Sequence, residues 1–468
     1  MKSTFRRTAT AQILSGLLLS SLVLPAVAMA KASDADVAKT KAVLMKGVGF
    51  ATVEGRGNTM AYAQYLASVL KSAGYADSDI VITPIGDTAT MTATLKGSTD
   101  AKPIILSGHM DVVEAKAADW ERDPFVPVEE GGYIFGRGSE DNKYDVTMLV
   151  MTMAKLKSSG FRPKRSIVLV LSGDEETLMT TTATLAQQFK GAELVLNGDG
   201  GGGVLAEDGK TPIYYGLQAG EKTYADYVIG FTDAGGHSSA PTPGNPIYKL
   251  AKALDRIDAY DFPDQASELT RASLASRGKR LGGDVGAAMQ RYAANPADKE
   301  AAALIASKPE YVGQIRTTCI ATLVNGGHAT NALPQRATAN INCRIFPGVP
   351  VEQVRVKLAE LAGEGATVTT IDDPLASDAS PLRADVVKAV TRAVQARYPG
   401  LEITPSMSGG ASDSLHFRAV GVPSYGIAAL FMRESDSFAH GLNERVPVAG
   451  IGPALDQWES VLRELAGK

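Results

Sequence analysis

The sequence predicts an α/β fold in two parts: a mostly parallel sheet layered with helices, and a second, two-layer α/β domain inserted into it. Three observations carry this. Short apolar runs alternate with helical patterns from residue 79 to about 213, as strands and their covering helices do. The patterning changes near residue 214 and returns near 379. At 468 residues the chain also exceeds one ordinary core, so two domains are the natural division.

Residues 1–30 stand apart. Lys2, Arg6 and Arg7 precede a short apolar run over 13–24, and Ala28-Met29-Ala30 has the spacing of a signal-peptidase site, with cleavage expected after Ala30. The run is too short and too rich in serine for a comfortable membrane span. The mature protein is therefore expected in the periplasm or outside the cell, free of the membrane. Arg6-Arg7 leaves both the general and the twin-arginine export routes open. Apolar content of 44%, 21% charged residues and a net charge of −4 describe a soluble globular protein. They give no reason to expect nucleic acid as a partner.

In chain order, residues 35–75 read as helical and 79–97 as a strand pair. An apolar strand over 103–106 ends just before His109, and a helix over 146–156 follows Asp141. The buried-strand pattern at 166–171 ends just before Glu175, and another at 192–196 ends just before Asp199. His109, Glu176 and Asp199 thus follow the C-terminal ends of strands, where open α/β sheets place their sites. In the second domain, 224–231 alternates as a half-exposed strand, 247–259 reads as a helix, and 261–311 has helical periodicity. Strands at 317–324 and 338–346 flank a Gly/Asn/Pro loop, followed by a helix at 351–362 and a strand at 367–371. A helix at 381–396 and residues 422–428 rejoin the first domain. The expected boundaries are 31–213, 214–378 and 379–468. Folding the two central strands about Asn331 sets Cys319 opposite Cys343. That pair is either a disulfide, in an oxidising compartment, or two buried thiols.

Five residues read together as a two-metal hydrolase centre: His109, Asp141, Glu176, Asp199 and His440. Imidazole nitrogen and carboxylate oxygen hold zinc and similar ions, and two ions need a shared bridging ligand. Asp111, two residues after His109, is placed to accept a proton from the other imidazole nitrogen. Adjacent Glu175 and Glu176 point in different directions, which suits one metal ligand and one general base. Asp199 lies in a glycine cluster (Gly198, then Gly200 to Gly203) with no Lys-Ser/Thr after it, which counts against a phosphate loop. Taken singly, each residue is an ordinary loop acid or histidine; the argument lies in the set.

With these residues in view, the chain resembles the co-catalytic zinc aminoacylase/carboxypeptidase family, which includes glutamate carboxypeptidase, acetylornithine deacetylase, succinyl-diaminopimelate desuccinylase and carnosinase. The resemblance runs through Gly-His-Met-Asp-Val-Val, Gly-Arg-Gly-Ser-Glu-Asp-Asn-Lys, Asp-Glu-Glu, Gly-Gly-His-Ser-Ser-Ala-Pro, Asn331-Ala-Leu-Pro and His440-Gly-Leu-Asn-Glu-Arg-Val. It implies one zinc on His109 and Asp199, a second on Glu176 and His440, and Asp141 between them. It further implies Glu175 as general base, and 214–378 as a lid and dimerisation domain. His237 would stabilise the oxyanion, and Asn331, Arg344, Gly409 and Gly410 would grip the substrate. Cobalt or manganese could use the same ligands as zinc. A cis peptide after Asp141 is also implied.

The implied reaction is cleavage of the amide or peptide bond of a small dipeptide or N-acyl amino acid with a free carboxylate. N-deacylation of a larger amide is the alternative, and a non-catalytic peptide-binding protein the remote one. Two features depart from the simplest family pattern. Asp199 stands where many relatives carry Glu, and the 261–311 insertion is larger than simple lids need. In dimeric relatives the histidine matched by His237 acts on the partner's site, so a homodimer through the lid is also an expectation.

Overall fold

The computed structural model describes Met1 and residues 31–467, so the expected signal peptide lies outside the described residues. Two helices, Asp34–Val48 and Thr59–Ser72, open the fold. The sequence suggested one helical stretch here. The chain is instead interrupted where Gly55 and Gly57 take φ of +75° and +65°, a conformation that no helix continues.

The central sheet runs, in spatial order, Ile80–Ile85, Thr88–Leu95, Ile167–Ser172, Ile104–His109, Leu194–Asn197, Ser424–Gly426, Pro212–Glu221, Gly202–Leu205 and Phe431–Arg433. Ile403–Ser408 lies parallel to Pro212–Glu221. The four strands from Ile167–Ser172 to Ser424–Gly426 are parallel, with antiparallel pairs on either side. These inner strands are buried on both faces. Ile104 and Leu106 join the main apolar cluster with the helices Lys143–Ser158 and Ile451–Ala466, whereas Ile105 joins Leu185 and Phe417 on the opposite face. Each such Leu or Ile contributes about 1.5–3 kcal/mol. This two-sided burial explains why the strands read as unbroken apolar runs rather than as alternation.

Strand Pro212–Glu221 continues past residue 214 within the central sheet, and the crossing into the second sheet falls at Lys222. That sheet is antiparallel, in the order Thr318–Gly326, Arg336–Ile345, Thr223–Thr232, Thr367–Ile371. Ala225, Tyr227, Ile229 and Phe231 face the helices Pro246–Asp258 and Val351–Ala362 in a separate apolar cluster. Cys319 pairs in register with Cys343, and the two form a disulfide.

The 261–311 stretch is helical, as its periodicity suggests, but it is not a layer of the lid. Its helices Glu268–Leu281, Gly283–Ala294 and Lys299–Ala306 enclose their own cluster around Leu274, Met289, Tyr292 and Ile305. Leu269 enters the main core, and Ser276 Oγ lies 2.8 Å from Thr404 Oγ1 of the central sheet. Small residues make this close packing feasible: a Cβ on Gly278 would sit 2.5 Å from the Gly286 carbonyl oxygen.

Candidate metal centre

Each candidate ligand is delivered by the end of a regular element. His109 is the last residue of its strand, Glu175 and Glu176 follow Ile167–Ser172, and Asp199 follows Leu194–Asn197. Asp141 directly precedes helix Lys143–Ser158, and the Asp141–Asn142 peptide is cis, as the resemblance implies. His440 comes from the loop before Arg445–Pro447, at φ +61°.

The side chains converge on Asp141. One carboxylate oxygen, Oδ1, lies 2.9 Å from His109 Nε2, and the other, Oδ2, lies 3.3 Å from His440 Nε2. The same His440 nitrogen is 2.9 Å from Glu176 Oε2. Ligand atoms of His109, Asp141 and Glu176 all fall within 4.8 Å of one another. Asp199 bounds the same cavity as Asp141 and interacts electrostatically with both Asp141 and His109.

Asp111 acts differently from the sequence expectation. His109 Nδ1 lies 3.1 Å from the Asp111 backbone oxygen and 3.5 Å from its carboxylate. The carboxylate instead accepts the backbone N–H groups of Glu175 (3.1 Å) and Glu176 (3.0 Å), because the turn after Ile167–Ser172 presents those donors to it. It thereby fixes the acidic turn as well as the imidazole. With Nδ1 directed to a carbonyl, Nε2 remains the ligand atom of His109.

Burial and charge crowding perturb Asp199, Glu175, Asp141, His440 and His109. Burial and the charge of Asp141 push the Asp199 carboxyl well up, and His109 opposes this. Burial also raises Glu175 strongly, helped by the repulsion of Asp199, Asp413 and Glu176, against the pull of His109. For Asp141 burial acts upward, but hydrogen bonds with His109 and His440 prevail and hold it well below the carboxylate range. His440 is raised to about 10 by Asp141 and Glu176. His109 is raised by Asp111 and Asp141 in spite of its burial. Two imidazoles and a knot of carboxylates, one of them offering an oxygen to each histidine, make a nitrogen and oxygen donor set that fits a pair of divalent cations.

Three buried carboxylates support the site without having been singled out from sequence. Glu444 accepts from Arg137 Nη1 (2.6 Å) and from the backbone N–H groups of Gly138 (3.0 Å), Glu140 (2.7 Å) and Asp141 (3.0 Å). Asp413 accepts from Ser172 Oγ and Thr182 Oγ1, tying the 408–414 loop to a strand end beside the metal ligands. Glu221 binds Arg418 and Ser412 in the same loop. The signal for Glu444 was its place in the His440-Gly-Leu-Asn-Glu motif; Asp413 and Glu221 carried none beyond the loop itself.

The lid residues form two groups. His237 is exposed beside Asn331, whose carbonyl accepts Ser238 N–H at 3.1 Å. The Ser239 backbone donates to His237 Nδ1 at 3.2 Å, which leaves Nε2 as the protonated, donating nitrogen. Arg344 donates to the Gly409 carbonyl at 2.8 Å and lies over the Tyr224 ring at 4.6 Å, while Gly410 N–H bonds Ser408 Oγ at 3.0 Å. Among the described residues, neither His237 nor Arg344 bonds to the five ligands. Cavities flank the centre: one of about 430 Å³ along Asp141 and Asp199, the other of about 460 Å³ along Asp111 and Glu176.

The fold and the sequence both have known counterparts. The metallo-carboxypeptidase Sso-CP2 of Sulfolobus solfataricus superposes with a TM-score of 0.67 at 19% identity, covering 91% of this chain and 98% of that one. The dinuclear metal-binding peptidase YXEP of Bacillus subtilis gives 0.58 at 12% identity, over 92% and 98%. The N-fatty-acyl-amino acid synthase/hydrolase PM20D1 of Homo sapiens is 28% identical over 76% of this chain and 72% of its own length. The family model for peptidase family M20/M25/M40 matches residues 105–464. The chain belongs to that family, and it is a hydrolase acting on amide bonds.

Proposed function

We propose that the chain is an exported two-zinc hydrolase that cleaves a small dipeptide or N-acyl amino acid bearing a free carboxylate. The observation that carries this is Asp141, whose two oxygens face one histidine each. His109 and Asp199 hold one ion, Glu176 and His440 the other, with Asp141 shared. The dinuclear metal-binding neighbour from Bacillus subtilis supports two ions rather than one. When bound, such ions polarise the amide carbonyl and make water acidic enough to lose a proton near neutral pH.

The protein's own groups supply the rest. Glu175, with a carboxyl raised by burial, takes the proton at its carboxylate and passes it to the leaving nitrogen. His237 Nε2–H offers a donor to the developing oxyanion, and Arg344 with Asn331, Gly409 and Gly410 orients the carbonyl and carboxylate. Since His237 is exposed and makes no bond to its own chain's candidate ligands, it serves the site of a second copy. The exposed apolar edge strand Thr318–Gly326, with Ile320 67% and Leu323 63% accessible, supports a lid-to-lid dimer. The Cys319–Cys343 disulfide supports an oxidising compartment such as the periplasm.

A cavity of about 430 Å³ sits at the small end of the roughly 300–1,000 Å³ usual for ligand sites, and Tyr214, Gln218, Ser273, Thr404 and Ser406 make it polar. This favours a small substrate. The human relative's name favours a longer N-acyl chain, and Met407, Leu430 and Met432 in the same wall would meet one. The test is to incubate residues 31–468, with and without zinc, against dipeptides and N-acyl amino acids of increasing chain length and to detect released amine. Zinc-dependent, chelator-sensitive release from the short members is expected. Release from the long-chain members alone would select the second reading, and none from metal-loaded protein would refute both.

A further inference from the structure

We infer that Arg277, on the helical insertion, recognises a second negative charge on the substrate, beyond the carboxylate assigned to Arg344; this rests on the substrate reading above. Arg277 lines the cavity that also takes in Asp141, Asp199, the glycine cluster, Tyr214, Ser273 and Thr404. The wall holds other cations, and each is committed. Arg280 donates from Nη1 to Ser276 Oγ (2.7 Å) and Thr404 Oγ1 (2.8 Å), stacks 4.1 Å from the Tyr214 ring centroid, and lies 3.8 Å from Glu402. Arg433 is bound to Asp436 at 2.6 Å.

Arg277 is half-buried and lies 5.6 Å from the Tyr311 ring centroid, but among the described residues it makes no hydrogen bond or ion pair. Its guanidinium donors are thus uncommitted inside a cavity that adjoins the reacting centre. The acids sharing that cavity do not serve as its partners. Asp141 is engaged by two histidines, Glu140 accepts from Ser437 and Phe438, Glu434 is exposed, and neither Asp145 nor Asp199 bonds to Arg277.

The position is also rigid. Arg277 follows Ser276, whose hydroxyl meets Thr404, and lies one turn before Arg280, so both anchors hold this face of the helix against the central sheet. A fixed, partly desolvated guanidinium matches the two oxygens of a carboxylate. The class of substrate that follows is an amide with two anionic groups: an acidic side chain on the amino acid, or a dicarboxylic acyl group. It also gives the large insertion a role, as a specificity wall added to the family fold.

The experiment compares kcat/KM within isosteric pairs, N-acetylglutamate against N-acetylglutamine and N-succinylalanine against N-butyrylalanine, for the parent enzyme, Arg277→Gln and Arg277→Lys. The parent is expected to favour the charged member of one pair by about tenfold or more, as a charge-assisted hydrogen bond would give. Arg277→Gln should bring that ratio to within about twofold of unity, with Arg277→Lys between. A parent ratio near one in both pairs, or a ratio that survives Arg277→Gln, overturns the inference. Titration of succinate and butyrate by calorimetry into the parent and Arg277→Gln reads the subsite without turnover. If no amide is cleaved yet the parent discriminates the dianion and the variant does not, the substrate reading fails and the anion subsite stands. Equal discrimination by both proteins overturns the subsite.

Discussion

Replacing Glu444 by alanine tests how the Asp141 carboxylate is held in place. Glu444 is fully buried and gathers four donors: the Arg137 guanidinium and the backbone N–H groups of Gly138, Glu140 and Asp141. Without it, Arg137, itself 3% exposed, keeps the Gly441 carbonyl but loses its counter-ion, and the three backbone donors lose their acceptor. Breaking one side of a buried pair costs about 3–5 kcal/mol. The orphaned N–H groups would each add about 1–3 kcal/mol if nothing moved. The terms share one residue, so they do not sum, and the loop can relax toward water. The expected loss is therefore about 4 kcal/mol. At about 2.1 cal/mol/K per residue of unfolding entropy, a chain of this length loses roughly 1 °C per kcal/mol, or about 4 °C in Tm. Displacing a group that orients a ligand should also weaken metal binding by about 10–100-fold. Glu444→Gln, which keeps one acceptor oxygen but sets an amide NH2 against N–H donors, should fall between parent and Ala. Thermal melts of the metal-free proteins and chelator competition read the two effects. Unchanged melting together with unchanged metal affinity in Glu444→Ala would refute the reasoning.

Further outcomes follow from the same geometry. Glu175→Gln should retain both metals by elemental analysis while turnover drops by about 10²–10⁴-fold, the usual worth of a general base; a milder loss would move the base elsewhere. In metal-free protein the pKa of His440, raised to about 10, keeps that imidazole protonated at pH 7, and His109 and Asp199 are shifted in the same direction, so metal must displace protons. Loading at pH 7 should release at least about one proton, and affinity should fall as pH is lowered, because acid favours the protonated, metal-free form. Calorimetry in buffers of different ionisation enthalpy measures this, and release of none would contradict the shifts. Replacing Cys319 and Cys343 together by serine removes a link across a sequence separation of 24, worth about 3 kcal/mol in chain entropy. Chemical denaturation of the double variant should show a loss of that order, and no change would mean that the lid does not depend on it.

Much of this was legible because the deciding residues are local signals. The run Ser-Ile-Val-Leu-Val-Leu could only be a strand covered on both faces, and the residues after it therefore had to lie at the sheet's C-terminal edge. The strands on either side of Asn331 predicted their own register, since one turn position sets Cys319 against Cys343. What stayed hidden depends on contacts between distant segments. Glu444 stands in the motif that follows His440, but its partners at 137–141 appear only in the fold. The helix Glu268–Leu281 sets Ser273, Ser276 and Arg280 against the central sheet and the cavity, a placement that helical periodicity alone does not give. Asp111 lies beside His109, its carboxylate 3.5 Å from Nδ1, but sequence spacing does not describe the backbone turn at Glu175 and Glu176 whose N–H groups that carboxylate also accepts.

The crossing at Lys222 has a mechanical consequence. Strand Pro212–Glu221 belongs to the central sheet and strand Thr223–Thr232 to the lid, and a single residue separates them. Lys222 is clamped on both sides: its N–H to the Ser408 carbonyl at 3.0 Å, its ammonium to the Arg316 carbonyl at 2.9 Å. The lid strand is ten residues long, so at about 3.3 Å per residue it reaches about 33 Å from that point. A tilt of about 5° at the base would therefore carry its tip about 3 Å, the length of one hydrogen bond. His237 lies just beyond that tip. The second sheet is joined to the central sheet as a lever rather than by a tether, and the joint stands next to the loop whose Gly409 carbonyl Arg344 already holds.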